Sequence, residues 1–397
     1  MGPWSLLRPF GRSSSHIAGL PCHSSVGTLH RMNSKLLMPL TAGALSLKNR
    51  AVMAPLTRAR AGSTHVPNAL MTEYYSQRAD AGLVMTECTM VAADACAFIA
   101  EGGIYNEACE MGWRRVTDAV HAAGGIMMMQ IWHPGRATHS AINGLQPVSS
   151  SNKPIRNESI HTPKGKLPYE APRPLRTDEI PGIIELFRLG AVRAKAAGFD
   201  GVQIHGAHGY LIDQFLRDSV NDRKDAYGGS LENRARLLLE VTDAAISVFG
   251  AGRVAIRVSP LVPFNDMSDS NPTALVKYLA EQMSARRIAF FELRHDQHDR
   301  PAEVALARLA REHFKGVLML NGGFDQASGE AALASGLGDA IVYGRLFIAN
   351  PDLVERFRLH APLNPLRMEG LYGGGAEGYT DYPSLDAASV SQSATAG

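Results

Sequence analysis

Within the run AGFDGVQIHGAHGYLIDQFL at 197–216, His205, His208 and Tyr210 fall inside six positions, spaced by Gly206 and Gly209. Two imidazoles can hydrogen-bond a substrate oxygen or bind a metal, and a phenol can deliver a proton. The glycines allow the backbone to turn and to approach a ligand closely. A single His after a strand is commonly just a hydrogen-bonded residue, and His-x-x-His can be half of a metal site. No Glu follows the first His, so the helical zinc-protease pattern is missing, and no metal site is expected.

These side chains need a scaffold that brings them to one place. Gly198 reads as the close of a helix beginning near Thr177, and Gly201–Ile204 as a short buried strand. The same rhythm recurs along the chain. Strands are expected at 51–54, 83–87, 126–131, 201–205, 254–259, 290–293, 317–321 and 340–343. Helices are expected at 110–123, 177–197, 231–249, 273–286, 302–313 and 326–335. Eight strands alternating with helices predict a (β/α)8 TIM barrel. The third unit is irregular. Pro134, Pro147, Pro154, Pro163, Pro168, Pro172 and Pro174 mark a long loop insertion after strand 3, of the kind that often serves as a lid.

In such a barrel, chemistry gathers where strands end. Those ends present Pro55, Leu56 and Thr57, then Cys88, Gln130, the 205–210 cluster, Arg257, Gly322-Gly323 and Gly344-Arg345. Glycines after strands seven and eight suit a phosphate, with backbone N–H groups facing the anion and Arg345 adding charge. Together with Thr57, Gln130 and Arg257 they fit a phosphorylated ring cofactor such as a flavin, whose pyrimidine edge needs donors, acceptors and a nearby positive charge. Singly, each residue also fits a blander role: Thr57 a strand cap, Gln130 a core-edge amide, Arg257 half of an ion pair, Gly-Gly a turn.

Composition narrows the field. The chain has 397 residues, 45% hydrophobic and 20% charged, with a net charge of +2. That describes a globular protein with no basic run, so neither nucleic acid nor membrane is an expected partner. Cys22, Cys88, Cys96 and Cys109 show no CxxC spacing, which speaks against a zinc ribbon or a disulfide framework. Residues 1–33 carry Arg8, Arg12 and Arg31 but no Asp or Glu. This composition fits a transit peptide to a mitochondrion or other organelle. It equally fits a disordered leader, or translation from Met32 of a cytoplasmic protein. Residues 34–386 are expected to form the barrel domain and 387–397 a disordered tail.

Further stretches carry a resemblance. They are MAPLTRARA at 53–61, LVMTECT at 83–89, QIWHPGRATH at 130–139, IHGAHGYLIDQFLRD at 204–218 and YGGSLENRAR at 227–236. SPLVPFNDMSDSNP at 259–272, NGGF at 321–324, YGRLFIANPDL at 343–353 and YGGGAEGYTDYP at 372–383 complete them. In these, the chain resembles the Old Yellow Enzyme family of FMN-dependent ene-reductases from about Lys35 to Leu385. The resemblance implies that Pro55, Leu56 and Thr57 line FMN, with the Thr57 hydroxyl on O4. It places Cys88 near the ring, Gln130 on the pyrimidine edge and Arg257 at N1 and O2. Gly323, Gly344 and Arg345 would hold the phosphate. It makes His205 and His208 ligands of a substrate carbonyl or nitro oxygen, Tyr210 the proton donor, and Trp132 and Tyr372 walls of the substrate pocket.

The implied activity is reduction of an enone or nitroalkene with NADPH, by a monomer or homodimer. Cys88 stands where the family usually has Ala or Gly. ARRIAFFELRH at 285–295 departs from the usual turn and leaves His295 without a role. The chain carries no cysteine-rich extension like that of the iron–sulfur relatives. The rival readings are a flavin-free lyase or aldolase acting on a phosphorylated substrate, and a non-catalytic flavin binder. A Schiff-base enzyme would need a strand-end Lys, which none of these ends supplies.

Overall fold

The computed structural model describes residues 34–385. The expected leader at 1–33 and tail at 387–397 lie outside them. Eight parallel strands close into a barrel. They are β1 (Ala51–Met53), β2 (Leu83–Met90), β3 (Met127–Trp132), β4 (Gly201–Gly206), β5 (Val254–Val258), β6 (Phe290–Arg294), β7 (Val317–Asn321) and β8 (Ala340–Tyr343). Each expected strand is present, within a few residues of its expected bounds. Outside the barrel lie α1 (Ala69–Ser76), α2 (Glu107–Ala122), α3 (Ile180–Ala196), α4 (Leu231–Phe249), α5 (Pro272–Arg286), α6 (Pro301–His313), α7 (Gln326–Ala334) and α8 (Leu353–Leu359).

Helix starts follow their caps. The Asn106 side chain accepts the Cys109 N–H, so α2 begins three residues before the expected Glu110. Asn271, followed by Pro272, starts α5 in the same way. The short α1 and α8 escape a periodicity search because each is a turn or two long, although Asn68 caps α1. The segment after β3 has structure of its own. It holds a short helix at Ser140–Asn143, a hairpin of Ser159–Thr162 with Gly165–Pro168, and a parallel pair of Val148–Ser149 with Arg173–Pro174.

Period-two alternation sorts the strand residues into layers. Outward residues such as Ile131, Val202, Ile256, Leu293, Leu320 and Ile341 pack under the helices. Inward residues at the amino-terminal half, including Val52, Leu83, Met128, Phe290 and Met319, fill the barrel floor. A hairpin of Leu40–Ala42 with Leu45–Leu47 plugs that end, its Leu45 and Leu47 buried against the same layer.

One step toward the carboxyl end, the interior turns polar. Gln130 donates to Gln203 (2.8 Å), Gln203 donates to Glu292 (2.7 Å), and Arg257 donates to the other oxygen of Glu292 (2.8 Å). All four are buried, so these bonds are weakly screened and costly to break. Glu292→Leu removes the one carboxylate of this hydrogen-bonded row and strands the Arg257 charge. The expected cost is about 3–5 kcal/mol, measured as the shift in urea unfolding of the flavin-free protein.

Candidate active site at the carboxyl end of the barrel

The polar layer is the floor of the site. Above it, β6 continues its alternation past Glu292 and turns Arg294 inward. The Arg294 Nη1 is buried with no hydrogen-bond partner among the described residues. Burial, and then the nearby Arg257 charge, hold this guanidinium down to about 10, so it stays cationic at neutral pH. Glu292 already serves Gln203 and Arg257. A desolvated cation without an acid of its own calls for an anionic or carbonyl ligand.

A register shift between Met85 and Cys88 breaks the ladder of β2 with β3. The Thr86 hydroxyl takes over the Gln130 backbone N–H at 2.9 Å. Beyond the bulge, Glu87 caps the backbone N–H groups of Arg58 and Ala59 at 3.0 and 3.1 Å. Cys88 lies 3.0 Å from the Thr57 hydroxyl. Burial pushes the Cys88 thiol well up, so it remains a neutral thiol.

The loop after β4 is held from several sides. His208 adopts a left-handed φ of +56° and its backbone N–H donates to Ser259 Oγ at 2.8 Å. Its carbonyl accepts from Asn265 Nδ2 at 2.8 Å. Gly209, at φ +71°, has no room for a side chain, since a Cβ there would sit 2.7 Å from that of Asn265. Gly209 N–H donates to Asp213, which is paired with Arg217.

These contacts put the His205 ring 5.7 Å from His208 and 4.9 Å from Tyr210, centre to centre. The Ala207 N–H donates to His205 Nδ1 at 3.3 Å, which leaves Nε2 as the N–H of the neutral ring. Burial, then the Arg257 charge, pull both imidazoles well below their ordinary range, with Arg294 adding to the effect on His208. Burial pushes the Tyr210 phenol well up. The cluster therefore offers neutral N–H donors and a firmly protonated hydroxyl.

Trp132 is fully buried, stacked on Phe98 at 5.8 Å and edge-on to Tyr210 at 5.1 Å. It supports the phenol from behind. Tyr372 lies half-exposed in the loop after α8.

Gly322, Gly323, Gly344 and Arg345 meet at the adjacent ends of β7 and β8, which the Asn321 amide ties together by donating to the Val342 carbonyl at 2.8 Å. A Cβ on Gly323 would meet nothing within 4 Å, so this turn has open space beside it. Arg345 is exposed at the rim. Pro55 and Leu56 follow β1, beside the same rim; the Leu56 side chain lies 3.5 Å from where a Gly344 Cβ would be.

His295 acquires a structural role. Its Nδ1 is 2.6 Å from Glu303, and its N–H donates to the Asn321 carbonyl at 2.7 Å, joining the end of β6 to α6 and β7. Arg294 was the site residue not singled out in the sequence, although continuing the Phe290, Glu292, Arg294 alternation points it inward. A cleft of about 520 Å³ opens at the opposite end of the barrel, between the hairpin and the starts of β6–β8. No strand's carboxyl end reaches it.

Comparison with known proteins decides the family. The model of the NADH:flavin oxidoreductase / NADH oxidase family matches residues 35–364. This chain belongs to that family, the Old Yellow Enzymes, and is an FMN-dependent oxidoreductase. It is 45% identical over 354 residues to a probable flavin mononucleotide-dependent alkene reductase of Leishmania infantum, covering 88% of this chain and 97% of the relative. It is 44% identical to 12-oxophytodienoate reductase 7 of Oryza sativa subsp. japonica, covering 88% and 94%.

Among solved structures, morphinone reductase superposes with a TM-score of 0.86 at 42% identity, covering 90% of this chain and 98% of that one. Morphinone reductase is also described in complex with tetrahydroNAD. The old yellow enzyme homologue from Zymomonas mobilis gives 0.85 at 43%, covering 88% and 100%.

The buried imidazoles make folding stability pH-dependent. His133 is pulled down to about 4, and His205 and His208 well below their usual range, all chiefly by burial. An unfolded imidazole titrates near about 6.5. Each therefore stabilises the fold fully above that pH, and the contribution is lost as pH falls and the unfolded chain binds protons. Glu87, raised to about 7 by burial, acts in the opposite sense, its contribution lost as pH rises from about 4.5 through 7. The three imidazoles lower stability as pH falls below about 6.5, opposed by Glu87 and by Glu158 and Asp213, which burial also raises. His133→Gln should flatten that slope by up to about 1.4 kcal/mol per pH unit, read from urea midpoints across the range.

Proposed function

We propose that this protein uses NADPH to reduce the activated C=C bond of α,β-unsaturated carbonyl or nitro compounds. The observation that carries the reading is the juxtaposition of two neutral imidazoles with a protonated phenol above a cation-rich floor. FMN, when bound, would supply the two-electron hydride chemistry that couples nicotinamide oxidation to reduction of the alkene.

The residues fit FMN. Arg257, oriented by Glu292, would serve the pyrimidine edge, where its charge would favour the electron-rich reduced ring. Gln130, fixed by Gln203, addresses the same edge. The Thr57 hydroxyl and the backbone of Pro55 and Leu56 line the ring, with Cys88 beside Thr57. Gly323, Gly344 and Arg345 hold the phosphate, where backbone N–H groups and one guanidinium suit a dianion. Arg294 is a third cation for the same cofactor, supported by its buried, unpartnered Nη1.

His205 Nε2–H and His208 hydrogen-bond the substrate oxygen and draw electron density from the β-carbon. Because both are neutral, they polarise that oxygen without surrendering a proton to it. Tyr210 donates a proton to the α-carbon as general acid. Its elevated proton affinity keeps the hydroxyl loaded at neutral pH. Trp132 holds the phenol in place, and Tyr372 forms the outer wall of the pocket.

Tyr210→Phe should separate the two half-reactions in stopped-flow spectroscopy. Bleaching by NADPH should proceed near the wild-type rate. Recovery with cyclohexenone should slow by about 100- to 10,000-fold. Recovery at the wild-type rate would remove Tyr210 as donor. Comparing kcat/KM for NADPH and NADH tests the reductant, and higher efficiency with NADH would overturn that part of the reading. Arg294→Met should release FMN more readily on dilution, by about 1.5–3 kcal/mol of binding. Equilibrium dialysis against FMN measures it, and unchanged affinity would leave Arg294 without this role.

A further inference from the structure

Beside the site, the loop after β1 runs along the loop after β2. The Ala61 N–H donates to the Ala100 carbonyl at 2.9 Å, and the Gly103 N–H to the His65 carbonyl at 2.9 Å. Between them, His65, Cys96 and Glu101 each present one donor atom, all within 4.8 Å of one another. We propose that these three side chains bind a zinc-class transition-metal dication, a role independent of the flavin reading.

Three observations support it. Glu101 is fully buried, and its Oε1 accepts the N–H groups of Ala97 at 2.6 Å and Phe98 at 3.0 Å. Its Oε2 is buried with no hydrogen-bond partner among the described residues. A loop-organising role accounts for the first oxygen; beyond it the carboxylate has only the Cys96 thiol, which hydrogen-bonds it and is pushed well up by burial.

The second observation is the state of His65. Its Nδ1 lies 2.8 Å from the Glu101 backbone carbonyl. A carbonyl only accepts, so in the neutral ring Nδ1 carries the hydrogen and Nε2 is the nitrogen left for a metal. Metal-binding imidazoles are oriented by this type of bond. The third is the donor set of one sulfur, one imidazole nitrogen and one carboxylate oxygen. Magnesium and calcium favour all-oxygen sites, whereas zinc takes this mixture. On binding, the Cys96 thiol loses its proton to solvent. Thiolate and carboxylate then neutralise the dication, which leaves no net charge in a buried place.

A tetrahedral ion holds its donors roughly 3.3–3.8 Å apart, so the longest separation must contract by about 1 Å. Side-chain rotation of the half-buried His65 can supply that. The fourth position is left for water. Glu101 also holds the Phe98 backbone, and Phe98 stacks on Trp132 behind Tyr210, so the ion would stiffen the wall that supports the phenol.

The experiment uses the FMN-loaded protein, stripped with a chelator and titrated with cobalt(II). One equivalent should produce tetrahedral d–d bands to the red of the oxidised flavin, together with a thiolate charge-transfer band, and zinc(II) should displace them. His65→Asn and Cys96→Ser should each weaken binding by about 100-fold or more, while Cys109→Ser should leave it unchanged. Flavin content and circular dichroism report folding of each variant. If Cys96→Ser fails to fold, His65→Asn alone carries the test. Absence of bands in the wild type, octahedral spectra without a thiolate band, or bands that persist in His65→Asn would each overturn the site. Yellow protein with no cobalt signal would reject the metal and leave the flavin reading standing.

Discussion

The carboxylate of Glu292 is the constraint on which the upper half of the barrel depends. It is buried inside the barrel and accepts from Gln203 with one oxygen and from Arg257 with the other. A buried carboxylate is tolerable only when its lone pairs are satisfied by charge and hydrogen bonds. Here the satisfaction fixes two rotamers and, through Gln203, a third at Gln130. The floor of the site is thereby preorganised before anything binds, which is the condition under which polar groups are most effective.

The same floor sets the state of the groups above it. Arg257 and Arg294 lie close enough to disfavour a charged imidazole at His208, and burial does the rest. One charge arrangement thus serves two ends. It favours negative charge in whatever occupies the site and keeps the adjacent histidines as neutral donors. Burial of Tyr210 works toward the opposite goal, retaining a proton on the phenol. Neutral imidazole and protonated phenol can then coexist 4.9 Å apart, centre to centre, without competing for a proton.

Much of this was legible in the sequence, for identifiable reasons. The barrel strands are short β-rich runs separated by amphipathic helices, and that period survives without knowledge of packing. His205, His208 and Tyr210 were visible because glycines interrupt a buried run at a strand end. Other features needed the third dimension. The α1 and α8 helices are too short for periodicity to stand out. Trp132 is placed behind Tyr210 by Phe98, a residue far enough away in sequence that no local pattern shows it. His295 has no role that the sequence shows until Glu303, eight residues on, is seen to meet its Nδ1. Arg294 is legible only when the alternation within β6 is tied to the inward position of Glu292. His65, Cys96 and Glu101 share no ligand spacing and come together only because two loops run side by side.

The irregularity in β2 carries an implication for how this chain can vary. Between Met85 and Cys88 the strand holds more residues than its neighbour can pair with, and Thr86 patches the missing ladder bond with its hydroxyl. Shortening the strand by one residue would restore regular pairing and look harmless to local geometry. It would also remove the local bend that the extra residue creates, the bend that aims Glu87 at the Arg58–Ala59 backbone and sets Cys88 beside Thr57. The length of this strand is therefore under tighter control than the identity of most of its side chains. Insertions and deletions within it should be rare among relatives of this chain.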